Sequence, residues 1–170
     1  MKTRTKKPVK AYKNLDFLCS HEARHVRILS EFIEPSHRFR KHNIRNTIVF
    51  FGSARTVQDD EIKKTSPNRD ERIYIKRCME DATELARRIT RWSGKFKDPR
   101  KKYYICSGGG PGFMEAANKG ASLAGGKSIG LNISLPFEQT PNPYITDELN
   151  FEFHYFFIRK FWFVYLAKAM

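Results

Sequence analysis

The chain predicts a three-layer α/β fold built on a parallel sheet, and three features carry that prediction. Two apolar runs, residues 46–51 (NTIVFF) and 103–106 (YYIC), each lead straight into glycine and serine. Buried parallel strands that feed a tight turn read this way. Between them, residues 69–92 repeat apolar side chains at helical spacing, so strand and helix alternate. The second glycine run then opens residues 113–124, a small-residue helix with Ala116, Ala117, Gly120 and Ala121, followed by a strand at 127–133 with Ile129, Leu131 and Ile133 in alternation.

The remaining elements follow in order. Residues 1–13 form a basic tail with no apolar pattern, and residues 14–45 a helical extension ahead of the sheet domain at 46–170. Within the extension, Ala23, Val26, Ile28, Leu29, Phe32 and Ile33 recur as on one helix face, so a helix is predicted over 20–33. Ser20 would be its N-cap, Pro35 would lie beyond its end, and 36–42 would add a short further turn. Residues 57–68 are polar and predict a loop. The helix over 69–92 would bury Ile73, Ile75, Cys78, Met79, Ala82, Leu85, Ala86 and Ile89, with Gly94 closing it and 95–102 an exposed basic loop. Gly125-Gly126 ends the small-residue helix. Pro136, Pro141 and Pro143 make 135–148 a loop, 149–153 is a short strand, and 156–169 reads as a final aromatic-rich helix. Strand 46–51 is expected at the centre, flanked by 103–106 and then 127–133, all parallel, with the N-terminal helix packed outside.

Composition narrows the function classes. A length of 170 residues with 40% hydrophobic content suits one domain with a real core. No apolar run approaches the ~20 residues of a membrane helix, so no membrane partner is expected. The basic N-terminus is followed by no apolar stretch, unlike a secretory signal. Cys19, Cys78 and Cys106 are odd in number, widely spaced and free of any CxxC pair, which argues against a disulfide framework or a zinc site and for reduced thiols in a cytoplasmic protein. The formal net charge of +14 admits two readings, a nucleic-acid partner or a solvated basic surface that attracts small anions. The charge is spread over 1–10, 37–45 and 95–102, and no RNA-recognition or zinc-finger motif accompanies it.

The sharpest motif is Ser107-Gly108-Gly109-Gly110-Pro111-Gly112-Phe113-Met114-Glu115, between a strand and a helix. Glycines there allow a tight turn and let a ligand approach the main chain, while the free N–H groups of the helix start favour an anion. Read from Ser107 to Ala121, the segment resembles the first signature of the LOG family, the phosphoribohydrolases also called lysine-decarboxylase-like. Gly52-Ser53-Ala54-Arg55 resembles that family's first loop. Residues 126–133, followed by Leu135-Pro136, Glu138-Gln139 and Pro141-Asn142, resemble its third strand and the loop after it. Phe156-Phe157-Ile158-Arg159-Lys160 resembles its Arg-Lys helix. The resemblance spans residues 46–170 and is closest to the larger bacterial members, which carry an N-terminal extension.

The resemblance implies a Rossmann-like fold and cleavage of the N-glycosidic bond of nucleoside 5′-monophosphates, of AMP or cytokinin type, to free base and ribose 5-phosphate. It implies a purine nucleoside monophosphate as ligand, a homo-oligomer, and no metal or organic cofactor. Arg159 is the candidate catalytic residue, because a guanidinium can bind two oxygens of ribose or phosphate at once. The candidate substrate-binding residues are Gly52, Ser53, Ser107, Gly108, Gly109, Gly110, Gly112, Met114 and Lys160. Met114 suits cleft lining and core packing equally, and Glu115 suits a contact at the helix start better than catalysis. No lysine motif for pyridoxal phosphate is visible, so decarboxylation is not expected.

One departure from the family pattern bears on activity. Its second signature, Pro-Gly-Gly-x-Gly-Thr-x-x-Glu, which supplies a phosphate loop and the catalytic carboxylate, does not occur in these 170 residues. The expectation is a chain that is inactive alone, being either truncated or completed by another polypeptide, with part of the sheet missing. A basic nucleic-acid binder or a non-catalytic nucleotide-binding protein is the alternative. The aromatics crowded between Phe151 and Tyr165 cannot all be hidden by one helix, which points to a partner surface.

Overall fold

A computed structural model describes residues 7–53, 69–134 and 140–170. The fold is α/β, a five-stranded sheet flanked by helices. Its strands are β1 (Asn46–Phe50), β2 (Tyr103–Ser107), β3 (Ser128–Ile133), β4 (Asn150–Phe153) and β5 (Ala167–Ala169), in the order β4-β3-β2-β1-β5. All four pairings are parallel, with Asn46 opposite Tyr103, Ile105 opposite Ser128 and Gly130 opposite Asn150. The helices are α1 (Leu15–Cys19), α2 (Arg24–Lys41), α3 (Arg69–Gly94), α4 (Phe113–Leu123) and α5 (Phe156–Tyr165). Among the described residues, no helix is long and apolar enough to cross a membrane.

Two apolar layers sandwich the sheet. On one face Val49, Ile129, Leu131, Phe151 and Phe153 pack with Phe39 of α2 and Ile158, Trp162 and Phe163 of α5. On the other, Ile105 packs with Ala86 of α3 and with Ala117 and Ala121 of α4. The small residues of α4 have a packing reason: a Cβ on Gly120 would collide with the carbonyl oxygen of Thr83, so glycine lets α3 and α4 touch backbone to backbone.

The expected α/β alternation and parallel neighbours are present, but β2 and not β1 is the middle strand, because β4 extends the sheet beyond β3 and β5 is the single strand beyond β1. The other differences also have local causes. The first long helix is a single element, Arg24–Lys41, capped by Ala23 and not by Ser20, and it runs through Pro35. Its start is delayed because Arg27 Nη1 donates to the carbonyls of Leu18 and Ser20, holding those residues in a separate turn. It continues because the helical hydrogen bond that Pro35 cannot make is replaced: Trp162 Nε1 donates to the Glu31 carbonyl at 3.0 Å.

The last helix ends at Tyr165, not at residue 169. Ala167–Ala169 pairs beside β1, with the Thr47 N–H donating to the Leu166 carbonyl at 2.9 Å. An open sheet edge offering hydrogen bonds outweighs the helical preference of Ala-Lys-Ala. In α3, Ala86 is buried, but Ile73 and Leu85 are exposed: Ile73 lies in the early turns, and Leu85 lies off the face of Thr83, Ala86 and Thr90 that meets Gly120 and Gly126. Phe51 lies outside β1, exposed, with its ring 4.9 Å from that of Phe163. The expected loop at 57–68, together with Ala54, Arg55 and residues 135–139, lies outside the described residues.

Candidate functional site

The glycine segment stands where the sequence predicts, between the carboxyl end of β2 and the first turn of α4. Gly109 has φ +78° and Gly112, the N-cap of α4, has φ +73°. A side chain at Gly109 would be strained by that φ and would also collide with the Asn132 carboxamide.

The loop is held from beneath by a buried polar network. Ser107 Oγ donates to Asn118 Oδ1 at 2.6 Å and accepts from the Gly109 N–H at 3.1 Å. Asn118 Nδ2 reaches the Ile129 carbonyl at 3.3 Å. Asn142 does most of the fastening. Its backbone N–H donates to Gly109 O at 2.8 Å, and Nδ2 lies 3.0 Å from Gly109 O, 3.1 Å from Gly110 O and 3.0 Å from Asn118 Oδ1. Asn132, on β3, donates to Asn150 Oδ1 at 2.6 Å and to the Phe151 carbonyl at 2.8 Å, fixing the carboxamide that faces Gly109.

Arg159, in the first turns of α5, crosses to this loop. Nε donates to the Leu131 carbonyl at 2.6 Å and Nη2 to the Gly108 carbonyl at 3.3 Å. A side chain at Gly108 would sit 2.7 Å from both Arg159 Nη2 and Met114 Sδ, so these three residues form one wall. The guanidinium carbon lies 5.1 Å from the Phe163 ring centre. Burial lowers the Arg159 pKa from the ordinary guanidinium value, with the nearby Cys106 and Glu152 acting in the opposite direction. A partly desolvated cation of this kind gains more from an incoming anion than an exposed one does.

The sequence-predicted residues therefore divide. Gly52 lies against Phe113, close enough that a Cβ would overlap the Phe113 side chain, so the end of β1 abuts the start of α4. Gly108, Met114 and Arg159 converge. Gly109, Gly110 and Gly112 shape the loop. The Ser107 hydroxyl is turned inward and engaged by Asn118 and Gly109, so it serves the loop rather than a cleft. Ser53 is exposed beside Gly52. Lys160 is exposed and lies 4.8 Å from the Phe156 ring centre, away from the loop contacts. Glu115 stands in the first turn of α4 and, among the described residues, makes no hydrogen bond to the N-cap.

Sequence reasoning gives no role to Asn118, Asn132 and Asn142. The available signals are Asn118 inside the 107–121 signature and Asn142 in the Pro141-Asn142 pair.

No protein-family model matches the chain, and no curated protein matches it.

Proposed function

We propose that the chain binds a nucleoside 5′-monophosphate at the carboxyl ends of β1 and β2, between Gly52–Ser53 and the Ser107–Gly112 loop, and that it descends from LOG-family phosphoribohydrolases. The observation that carries this reading is the Asn142-locked glycine loop with the Arg159 guanidinium braced behind Gly108. Ligands of open parallel sheets bind beyond the strand carboxyl ends, and a glycine turn that opens a helix offers N–H groups to phosphate. Arg159 supplies positive charge to that phosphate or to the ribose hydroxyls while it holds the loop.

In the reaction implied by the resemblance, the C1′–N bond breaks with its electron pair going to the base. A water oxygen bonds to C1′, and the water's proton ends on the departing base. A carboxylate must stabilise the oxocarbenium-like state. The 170 residues carry no Pro-Gly-Gly-x-Gly-Thr-x-x-Glu segment, so binding rather than turnover is the property expected of this polypeptide.

Calorimetric titration with AMP, adenosine and ribose 5-phosphate tests the reading. AMP should bind most tightly, ribose 5-phosphate measurably and adenosine weakly. Equal binding of AMP and adenosine would remove the phosphate from the reading, and no binding of any of the three would remove the site.

The reading includes self-association and a cytoplasmic setting. Phe156, Phe157 and Phe161 of α5 are exposed, as are Leu29 and Ile33 of α2, and Phe161 meets Phe32 of α2 edge-on at 5.1 Å, leaving apolar surface that a second copy would cover. The three cysteines are free thiols, as a reducing compartment would keep them. Sedimentation at micromolar concentration should give at least a dimer, and a well-behaved monomer would count against this part.

A further inference from the structure

We propose that the end of the sheet opposite the glycine loop is a binding surface for single-stranded nucleic acid, formed by lysines and arginines at the strand starts together with an aromatic platform at Trp92. This goes beyond the nucleotide reading and does not rest on it.

In a parallel sheet every strand starts at the same end. Here basic residues precede three neighbouring strands: Arg45 before β1, Lys101-Lys102 before β2 and Lys127 before β3. Their proximity is held by specific contacts. Asn46 Nδ2 donates to the carbonyls of Arg100 at 2.8 Å and Lys102 at 3.0 Å, which ties the β2 approach to the start of β1. Lys127 Nζ is 3.0 Å from His42 Nδ1, which ties the start of β3 to the end of α2. Lys102 and Lys127 line one depression of about 270 Å³, and Arg40 and Arg45 line a second of about 700 Å³. Lys95, Lys97 and Lys101 are exposed alongside. Asp98 is the acidic residue of the 95–102 stretch, and it is paired with Arg100 at 3.0 Å. Among the described residues these lysines make no ion pair, so their field is left for a polyanion.

Charge alone would fit any polyanion; the aromatic residues narrow the partner. Trp92, at the end of α3, is 47% exposed, and its ring centre lies 4.9 Å from that of Phe96 and 5.2 Å from that of Tyr103. The platform is rigid, because Ser93 Oγ accepts from the Tyr103 N–H at 2.7 Å and donates to the Tyr103 carbonyl at 2.8 Å. Lys95, Lys97, Lys101 and Lys102 interleave with these rings in sequence. An exposed indole within a lysine-rich stretch stacks unpaired bases, while a duplex keeps its bases stacked inside and offers the indole nothing. No linear motif marks the platform, because it joins a helix end to a strand start.

The test is fluorescence anisotropy of the full chain with a labelled oligothymidylate of about 15 nucleotides, a length that spans the site sizes of such grooves. The single strand should bind more tightly than a duplex of equal length, and excess AMP should leave binding unchanged. Trp92→Ala should weaken binding roughly tenfold, the effect of losing one stacked base. Replacing Lys95, Lys97 and Lys101, all exposed, by alanine should flatten the salt dependence, by about 0.7 for each phosphate no longer neutralised. A charge-matched control that removes Lys7, Lys10 and Lys13 should change affinity less than about twofold, as expected for charges outside the binding surface. Equal binding of the duplex, displacement by AMP, unchanged binding by the lysine variant, or an equal loss in the control would each overturn the proposal.

Discussion

Glu31 and Trp162, separated by 131 positions in the sequence, are joined by a 3.0 Å hydrogen bond from the indole Nε1 to the Glu31 carbonyl. That oxygen is the one Pro35 leaves without a helical donor. The Glu31 carboxylate also reaches forward, accepting from the backbone N–H groups of His154 at 2.8 Å and Tyr155 at 3.2 Å, just ahead of α5. One residue of the N-terminal extension therefore fixes both the entry and the middle of the helix that carries Arg159. Trp162→Phe keeps the ring contact with Phe39 but strips the carbonyl of its donor. It should cost about 1–3 kcal/mol in urea denaturation, as expected when a partly buried acceptor loses its donor. Pro35→Ala in the same background restores a backbone donor to Glu31 and should recover part of the loss. A double variant no more stable than Trp162→Phe would mean that the Glu31 carbonyl is not what the indole protects.

Asn142 should be the most sensitive polar residue outside the apolar core. Its carboxamide N–H groups face the Gly109 and Gly110 carbonyls and Asn118 Oδ1. Asn142→Ala leaves these buried acceptors without that donor and should destabilise the fold by about 2–4 kcal/mol. Asn142→Asp should be worse, since it places a carboxylate against the same oxygens. Chemical denaturation of both variants checks the order. Aspartate more stable than alanine would contradict the donor role.

Much of the sheet is legible in the sequence because β1 and β2 are apolar runs that stop at glycine, a pattern that depends only on neighbouring residues. The glycine loop is legible for the same reason. What escapes depends on distant partners. Pro35 reads as a helix stop until Trp162 arrives from the far end of the chain to take the stranded carbonyl. Ala167–Ala169 reads as helix until β1 offers it an edge. Asn118 and Asn142 are ordinary polar residues in sequence, and only the turn at Gly109 brings them together. Arg159 reads as a ligand contact in sequence, whereas its described bonds go to protein carbonyls.

The thiols should differ sharply in reactivity. Cys106 is buried in β2, and burial pushes its pKa up from the ordinary thiol value against a smaller opposing effect of Arg159. Cys19 is exposed. A disulfide reagent at mildly alkaline pH should therefore modify Cys19 quickly and Cys106 only on unfolding. The same shift sets a sign for pH dependence. The folded thiol holds its proton more tightly than the unfolded one, so its contribution is fully present below the ordinary thiol pKa and is lost as pH rises above it. Tyr104, also raised by burial, acts in the same direction. Cys106→Ala should make the alkaline fall in stability shallower, and an unchanged slope would assign that fall elsewhere.

Arg159 offers the clearest separation between a brace and a ligand contact. Its Nε and Nη2 bond to Leu131 and Gly108 carbonyls, and Met114 Sδ packs on the same wall. Arg159→Lys keeps a positive charge but lacks the planar fork that reaches two carbonyls at once. If the residue only braces the loop, the lysine variant should lose stability, by about 1–2 kcal/mol for a charged donor, while the remaining folded protein binds AMP normally. If the guanidinium also meets the phosphate or ribose, AMP affinity should fall by about tenfold or more even at temperatures where the variant is fully folded, because a water-poor site then lacks a charge-assisted hydrogen bond. The proposed function requires the second pattern. Adenosine is the internal control: its weaker binding should change little with Arg159→Lys if the arginine acts on phosphate, and as much as AMP binding does if it acts on ribose. An intact AMP affinity in a folded, destabilised variant would confine Arg159 to the architecture of the loop and leave the anion to the backbone amides of α4.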